Sequence, residues 1–321
     1  MKEIGGYIEL DTCRHAMLHE DAILLNCGRN ALAYLLEARG IKKLYLPYFL
    51  CDSVVNVCKK IGVEVAFYHI GENWLPKDLV IDEDTWLYIV NFYGQITRED
   101  LARLAAAYRN IIIDNAQAYF DAPLANVDTL YTSRKFFGVS DGAVLYTNSK
   151  LERSLEIDES FNRIHYVLGR YERTASEFYE EAAKNNDIFD NEEIKEMSRL
   201  TKNLLRSIDY EYVKQIRTNN FAYLHEKLRT VNKLNVRLIE GAFMYPLLID
   251  DGMKIRKQLQ QMKIYIPTLW PNVLEECEPG TLEYKFAADI LPIPVDQRYG
   301  VEDMEYLVEK IQMEGNYGSN Y

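Results

Sequence analysis

Between residues 30 and 147 the sequence alternates between a helical period and short apolar runs, and no other feature restricts the fold as much. Asn30–Arg39 has helical spacing and meets a stop at Gly40, and Asp52–Ile61 repeats the pattern before Gly62. Arg98–Tyr108 is a third such segment. Interleaved with them are runs that read as strands: Lys43–Leu46 closed by Pro47, Val63–Tyr68, Trp86–Phe92, Asn110–Asp114, Asp128–Tyr131 and Ala143–Thr147. Strands separated by helices of this length imply crossover connections and a mainly parallel sheet flanked by helices. The expected class is α/β.

Beyond Ser149 the texture turns helical and charged. Residues 176–196 hold eight acidic residues against two basic, which reads as a solvated helix and linker, and Arg199–Arg229 reads as one or two long helices. Past Val231 the pattern changes again. Val236–Glu240 and Phe243–Ile249 are expected to pair as strands, Lys254–Met262 to form a helix, Ile290–Val295 another extended run, and Glu302–Met313 a last amphipathic helix. This divides the chain into a large unit, residues 1–231, with a helical connector, and a smaller C-terminal α+β unit, residues 232–321.

Composition narrows the functional classes. With 37 basic and 49 acidic residues the net charge is −12, so neither nucleic acid nor an anionic membrane is an expected partner. No apolar run approaches the ~20 residues a spanning helix needs, and an N-terminal stretch carrying Glu9 and Asp11 does not read as a secretory signal. Five scattered cysteines without a C-x-x-C pair read as reduced thiols, which points to the cytoplasm. His15 and His19 stand at i, i+4 but lack the glutamate of a zinc-protease helix; a polar helix face is the expected reading, and no metal is assigned. Glycine signatures of dinucleotide, NTP and α/β-hydrolase sites are missing.

The chemistry-bearing residues fall at the carboxyl ends of the expected strands, where open α/β sheets bind ligands. Asp114 ends the most apolar strand, Gln117 follows three residues later, and Lys135 lies just past the next strand, before Gly138 and Asp141-Gly142-Ala143. Gly28, Arg29 and Asn30 open a helix whose free N–H groups and positive end suit a phosphate. An acid, a lysine and a phosphate cup at strand ends are the components of a pyridoxal phosphate site.

In order and spacing, from about Leu25 to Leu228, these stretches resemble the fold type I pyridoxal phosphate enzymes, and most closely the DegT/StrS nucleotide-sugar aminotransferases. Cys27–Leu32 stands where that family has its Ser-Gly-Thr phosphate turn, and Val90–Gly94 where it has His-Leu-Tyr-Gly. Ile111–Gln117 matches its Glu-Asp-Ala-Ala-Gln/His segment, and Lys135 with Gly138 and Asp141–Ala143 its cofactor lysine and following glycine turn. The 21 residues from Asp114 to Lys135 also suit it. The departures are specific. The family's phosphate-turn threonine is Arg29 here and its serine before the lysine is Leu130. The ring-stacking aromatic corresponds to Phe49 or is replaced by Cys51. The Gly-x-Asn-x-Arg motif, whose Asn reaches the phosphate across the dimer interface, is not recognisable.

The resemblance implies an aspartate-aminotransferase-like large domain and pyridoxal 5'-phosphate as cofactor. Lys135 would hold the cofactor and shuttle the proton, and Asp114 would pair with the ring nitrogen. Gln117 would touch the ring, Phe49 would stack near it, and Gly28, Arg29 and Asn30 would hold its phosphate. It also implies a homodimer that moves an amino group from an amino acid, glutamate by analogy, to a nucleotide-linked keto-sugar, as in polysaccharide biosynthesis. Arg134, or Lys202 with Arg206, would meet the substrate's pyrophosphate. Two other readings stay open at this point: a pyridoxal phosphate enzyme of other reaction type (elimination, dehydration or amino-acid transamination), and a non-catalytic protein of the same fold. Family dehydratases have histidine in place of the lysine, which Lys135 disfavours.

Overall fold

The computed structural model describes residues 4–315; the outer ends of the two expected units, residues 1–3 and 316–321, lie outside them. Seven strands form one sheet: β1 (Ile23–Leu25), β2 (Lys43–Pro47), β3 (Glu64–Tyr68), β4 (Trp86–Val90), β5 (Ile111–Asp114), β6 (Asp128–Thr132) and β7 (Ala143–Tyr146). Their spatial order is β1-β7-β6-β5-β4-β2-β3. The pairs from β3 through β6 are parallel, while β7 runs antiparallel to both β6 and β1. The α/β reading holds, with an antiparallel edge. β5 (Ile-Ile-Ile-Asp) and β6 are buried along their whole length, as central strands covered on both faces must be.

Helices α1 (Gly28–Ala38), α2 (Asp52–Ile61) and α3 (Arg98–Ala107) are the early crossovers, and α1 packs on α2, β6 and β7. The charged middle of the chain forms α4 (His165–Glu172), α5 (Tyr179–Ile188), α6 (Arg199–Leu205) and the long α7 (Tyr210–Leu228). After it come β8 (Met244–Leu248), α8 (Gly252–Gln261), α9 (Val273–Glu276), α10 (Leu282–Asp289), β9 (Ile290–Pro294) and α11 (Val301–Glu314). No described helix is long and apolar enough to cross a membrane.

Two local expectations are corrected. Residues 236–240 are not the partner of β8; that partner is β9, in a two-stranded antiparallel sheet. The backbone of residues 236–240 is used elsewhere, since the Arg237 N–H donates to Gln95 Oε1 at 2.7 Å. Pro246 faces Pro292 across the β8–β9 pair, so the two residues without a donor are set against each other. His15 and His19 share no helix face, because residues 11–17 are irregular and His19 adopts φ +66°. The His19 ring lies against Tyr119, Tyr131 and Tyr146, with Nε2 2.8 Å from the Tyr119 carbonyl, and burial lowers its pKa.

One apolar core runs from the first strand to the last helix, including Leu25, Ile112, Leu145, Phe221, Leu247 and Ile311. Beside the carboxyl ends of the parallel strands, Phe49, Trp74 and Phe92 from the first half interlock with Trp270 and Phe286 from the last quarter.

Candidate active site

Side chains on a strand alternate between the faces of the sheet, and β5 uses both faces at its carboxyl end. Asp114 points to one side, where Val90 on β4 and Leu130 on β6 are its register neighbours. Those three residues floor a cavity of about 230 Å³. Ile113 and Asn115 point to the other side, into a separate cleft with Asp121 and Arg237. The first cavity gathers the expected chemistry: Cys27, Gly28 and Arg29 from the start of α1, Cys51 at the cap of α2, Asp114, Gln117, Arg134 and Lys135 all line it. Larger clefts exist, including one of about 620 Å³ at His69 and Glu283, but they lie away from these residues.

Asp114 is held on both oxygens. Oδ1 accepts from the Ala116 N–H at 2.8 Å and Oδ2 from the Tyr88 hydroxyl at 2.8 Å. Burial raises its pKa, and the nearby Lys135 ammonium together with the two hydrogen bonds draws it part of the way back. Lys135 ends a 3-10 turn, Ser133–Lys135, that leaves β6. Its side chain is exposed at the cavity yet surrounded by protein, so desolvation lowers its pKa while the Asp114 charge opposes that shift. Among the described residues the Lys135 ammonium has no hydrogen-bond or ion-pair partner; its one specific contact is the Phe243 ring, 5.6 Å away. Downstream, Gly142 (φ +120°) closes the turn: its N–H donates to the Asn26 carbonyl at 2.6 Å and its carbonyl accepts from the Ser133 N–H at 3.1 Å.

Gln117 is buried, with Oε1 accepting from the Tyr93 N–H at 2.7 Å and Nε2 without a partner. A buried amide donor left open at a cavity wall is what a ligand acceptor would satisfy. The start of α1 has the same character. Cys27 caps it weakly, with Sγ accepting from the Asn30 N–H at 3.4 Å, and the first turn has no acidic residue. Burial pushes the Cys27 thiol up to about 11, so it stays protonated. A Cβ added at Gly28 would meet protein only at 3.9 Å, at Thr132, which leaves the backbone open to close approach by a ligand.

Five expected site residues are placed differently. Asn30 is buried but does not line the cavity; its amide donates to Asn26 Oδ1 at 3.0 Å and to the Glu193 carbonyl at 2.7 Å, tying α1 to the acidic stretch. Phe49 is fully buried in the aromatic cluster and also does not line the cavity; its ring packs edge-on against Trp270, 4.8 Å away, and it is Trp270 that reaches the cavity wall. Arg29 lines the cavity but is already engaged, with Nη1 donating to the Asn186 carbonyl at 2.9 Å and Nε lying 3.2 Å from Asp190. Lys202 and Arg206 line a different cleft, beside Cys13 and Met17, where they pair with Glu196 and Glu20.

Sequence reasoning missed Tyr88, Trp270 and Asn186. Asn186 belongs to the acidic stretch read as a solvated linker, yet α5 brings it over the start of α1. Its composition signalled the exposed side of the helix and carried no sign of the contact.

Compared by sequence, the chain matches no protein-family model and no curated protein. Compared by structure, it has the fold of sugar aminotransferases. CalS13 from Micromonospora echinospora, a sugar aminotransferase, superposes with TM-score 0.63 at 16% identity, over 91% of this chain and 87% of that one. A DegT DnrJ EryC1 StrS aminotransferase from Brucella abortus gives 0.61 at 14% identity, over 92% and 86%. NtdA from Bacillus subtilis, with bound cofactor PMP, gives 0.65 at 13% identity, over 92% and 73%.

Proposed function

We propose that this chain is a pyridoxal 5'-phosphate-dependent aminotransferase of the DegT/StrS type, moving an amino group from an amino acid, glutamate by analogy, to a nucleotide-linked keto-sugar. One observation carries the reading: an unpaired buried-site lysine, a strand-end aspartate, an open amide donor and a basic helix start converge on one cavity. The structural neighbours add support, since they are aminotransferases and one of them holds PMP. Cytoplasmic location, a homodimer, a role in polysaccharide biosynthesis and the division into units 1–231 and 232–321 complete the proposal.

Bound there, the cofactor supplies an electron sink for the pair released when the donor's α-proton leaves. Asp114 would keep the ring nitrogen protonated, its carboxylate held in orientation by Tyr88 and Ala116. Lys135 would hold the cofactor and then move the α-proton as base and acid; desolvation lowers its pKa, which favours the neutral amine relative to that of a surface lysine. Gln117 Nε2 would donate to the ring's oxygen substituent. Gly28 and the N-terminus of α1 would hold the phosphate, with Arg29 supporting that end through its contact with Asn186. Asn30 would support that end by fixing α1 against residue 193. Phe49 would act through Trp270, which it backs.

The test is a pair of half-reactions on purified protein. Added cofactor should give a visible absorbance band, lost in Lys135→Ala, bleached by glutamate and restored by a UDP- or dTDP-linked keto-sugar. Restoration by pyruvate or oxaloacetate in place of the sugar would make the protein an amino-acid aminotransferase. Failure of wild type to bind the cofactor would reject the assignment.

A further inference from the structure

Two guanidinium groups meet above the N-terminus of α1, and they are not equivalent. Arg29 has a counter-ion and a backbone acceptor: Nη1 donates to the Asn186 carbonyl at 2.9 Å, Nη2 reaches Asn186 Oδ1 at 3.4 Å, and Nε, which makes no hydrogen bond, lies at ion-pair distance from Asp190, 3.2 Å away. Arg134 is half-buried like Arg29, but desolvation lowers its pKa and the charges near it, Arg29 and Asp141, include no ion-pair partner. Its Nη2 reaches Asn186 Oδ1 only at 3.5 Å, the Tyr166 hydroxyl is close by, and Nε is buried without a partner. No carboxylate lies within ion-pair distance of Arg134 among the described residues, and the nearby Asp141 is taken up by Ser198 and Thr201. The Phe189 ring, 4.7 Å from the guanidinium carbon, fixes its plane.

Such an arrangement is unfavourable alone. A half-buried cation with its Nε enclosed and without an ion-pair partner faces a second cation and the positive end of a helix. A dianion placed among them satisfies all three, and the planar guanidinium offers parallel donors to phosphate oxygens. A carboxylate, with one charge, would leave part of the field uncompensated. We infer that Arg134, and not Arg29, selects a phosphate dianion at this end of the cavity, and that Arg29 is a positioning residue acting through Asn186. The inference rests on the cofactor reading above and adds the residue that distinguishes a phosphorylated from an unphosphorylated ligand. Because Arg134 directly precedes Lys135, one peptide unit links the anion contact to the covalent anchor.

The experiment titrates cofactor-free protein with pyridoxal 5'-phosphate and with pyridoxal, which lacks the phosphate, following absorbance. Arg134→Gln should weaken the phosphorylated ligand by about 10- to 100-fold, as loss of charge-assisted bonds implies, and leave pyridoxal within about threefold. Arg29→Gln should lose less than about tenfold of the preference. Inorganic phosphate should raise the melting temperature of wild type and Arg29→Gln but not of Arg134→Gln. If Arg134→Gln does not fold, Arg134→Lys keeps the charge and should retain only part of the preference. An unchanged preference in the Arg134 variant, or a larger loss in Arg29→Gln, overturns the inference. Wild type that binds neither pyridoxal form would defeat the cofactor reading instead, and the phosphate melting shift would still decide the role of Arg134.

Discussion

At the scale of single residues, the Lys135–Asp114 pair sets what can be measured without a substrate. Desolvation lowers the Lys135 pKa, so its neutral, nucleophilic form appears at lower pH than on a surface lysine. Competitive labelling of cofactor-free protein with an amine-reactive reagent should give Lys135 a midpoint below the ordinary lysine range; a midpoint within that range would contradict the desolvated environment. In Asp114→Asn the carboxylate that opposes the shift is gone, and the Lys135 midpoint should move further down. Both residues were legible in the sequence because each follows an apolar strand, and strand ends in an α/β sheet face the ligand. Asn30 and Phe49 were legible as neighbours of the site but not by role. Whether a side chain near a strand end enters the cavity or the core depends on packing partners more than 140 residues away, Glu193 for one and Trp270 for the other.

The elements show the same division. Local rules gave the first half: α1 and α2 with their glycine stops, the amphipathic α3, and the apolar β4 and β5 follow from periodicity and turn chemistry. The short β1, the antiparallel placement of β7 and the pairing of β8 with β9 depend on contacts between distant segments and left no local sign. The turn after Lys135 is the element where backbone conformation bears most directly on the site. A Cβ at Gly142 would lie 3.1 Å from Thr201 Cγ2 and 3.3 Å from Ser133 Cβ, in a backbone region that L-residues avoid. Gly142→Ala should therefore cost about 1–3 kcal/mol in urea unfolding. It should also loosen cofactor binding, since Ser133, which begins the lysine turn, is bonded to Gly142. Full stability in this variant would mean that the turn relaxes freely.

Across the whole molecule, Arg217 on α7 ties the two halves together. Fully buried, it donates to Gln297 Oε1 at 2.9 Å, to the Ala242 carbonyl at 2.8 Å and to the Phe136 carbonyl at 3.1 Å, and its plane lies 4.6 Å from the Phe136 ring. Burial brings its pKa down to about 10, so it stays charged at neutral pH. Arg217→Met would strand those acceptors, and an expected loss of about 2–4 kcal/mol should appear as a lower urea midpoint. Cofactor affinity should fall with it although Arg217 does not line the cavity; a variant as stable as wild type would show that other contacts hold Phe136. That carbonyl also accepts from Gln297 Nε2 at 2.8 Å, so the peptide next to Lys135 is gripped from 161 positions downstream. On the ribosome the consequence is one of timing. A nascent chain that has emerged only to residue 290 already contains the lysine, the aspartate and the helix start, but not the side chain that finishes clamping the lysine turn. On the proposed cofactor reading, competence to capture the cofactor therefore waits until Gln297 has emerged, and a shorter nascent chain has little means of trapping it early.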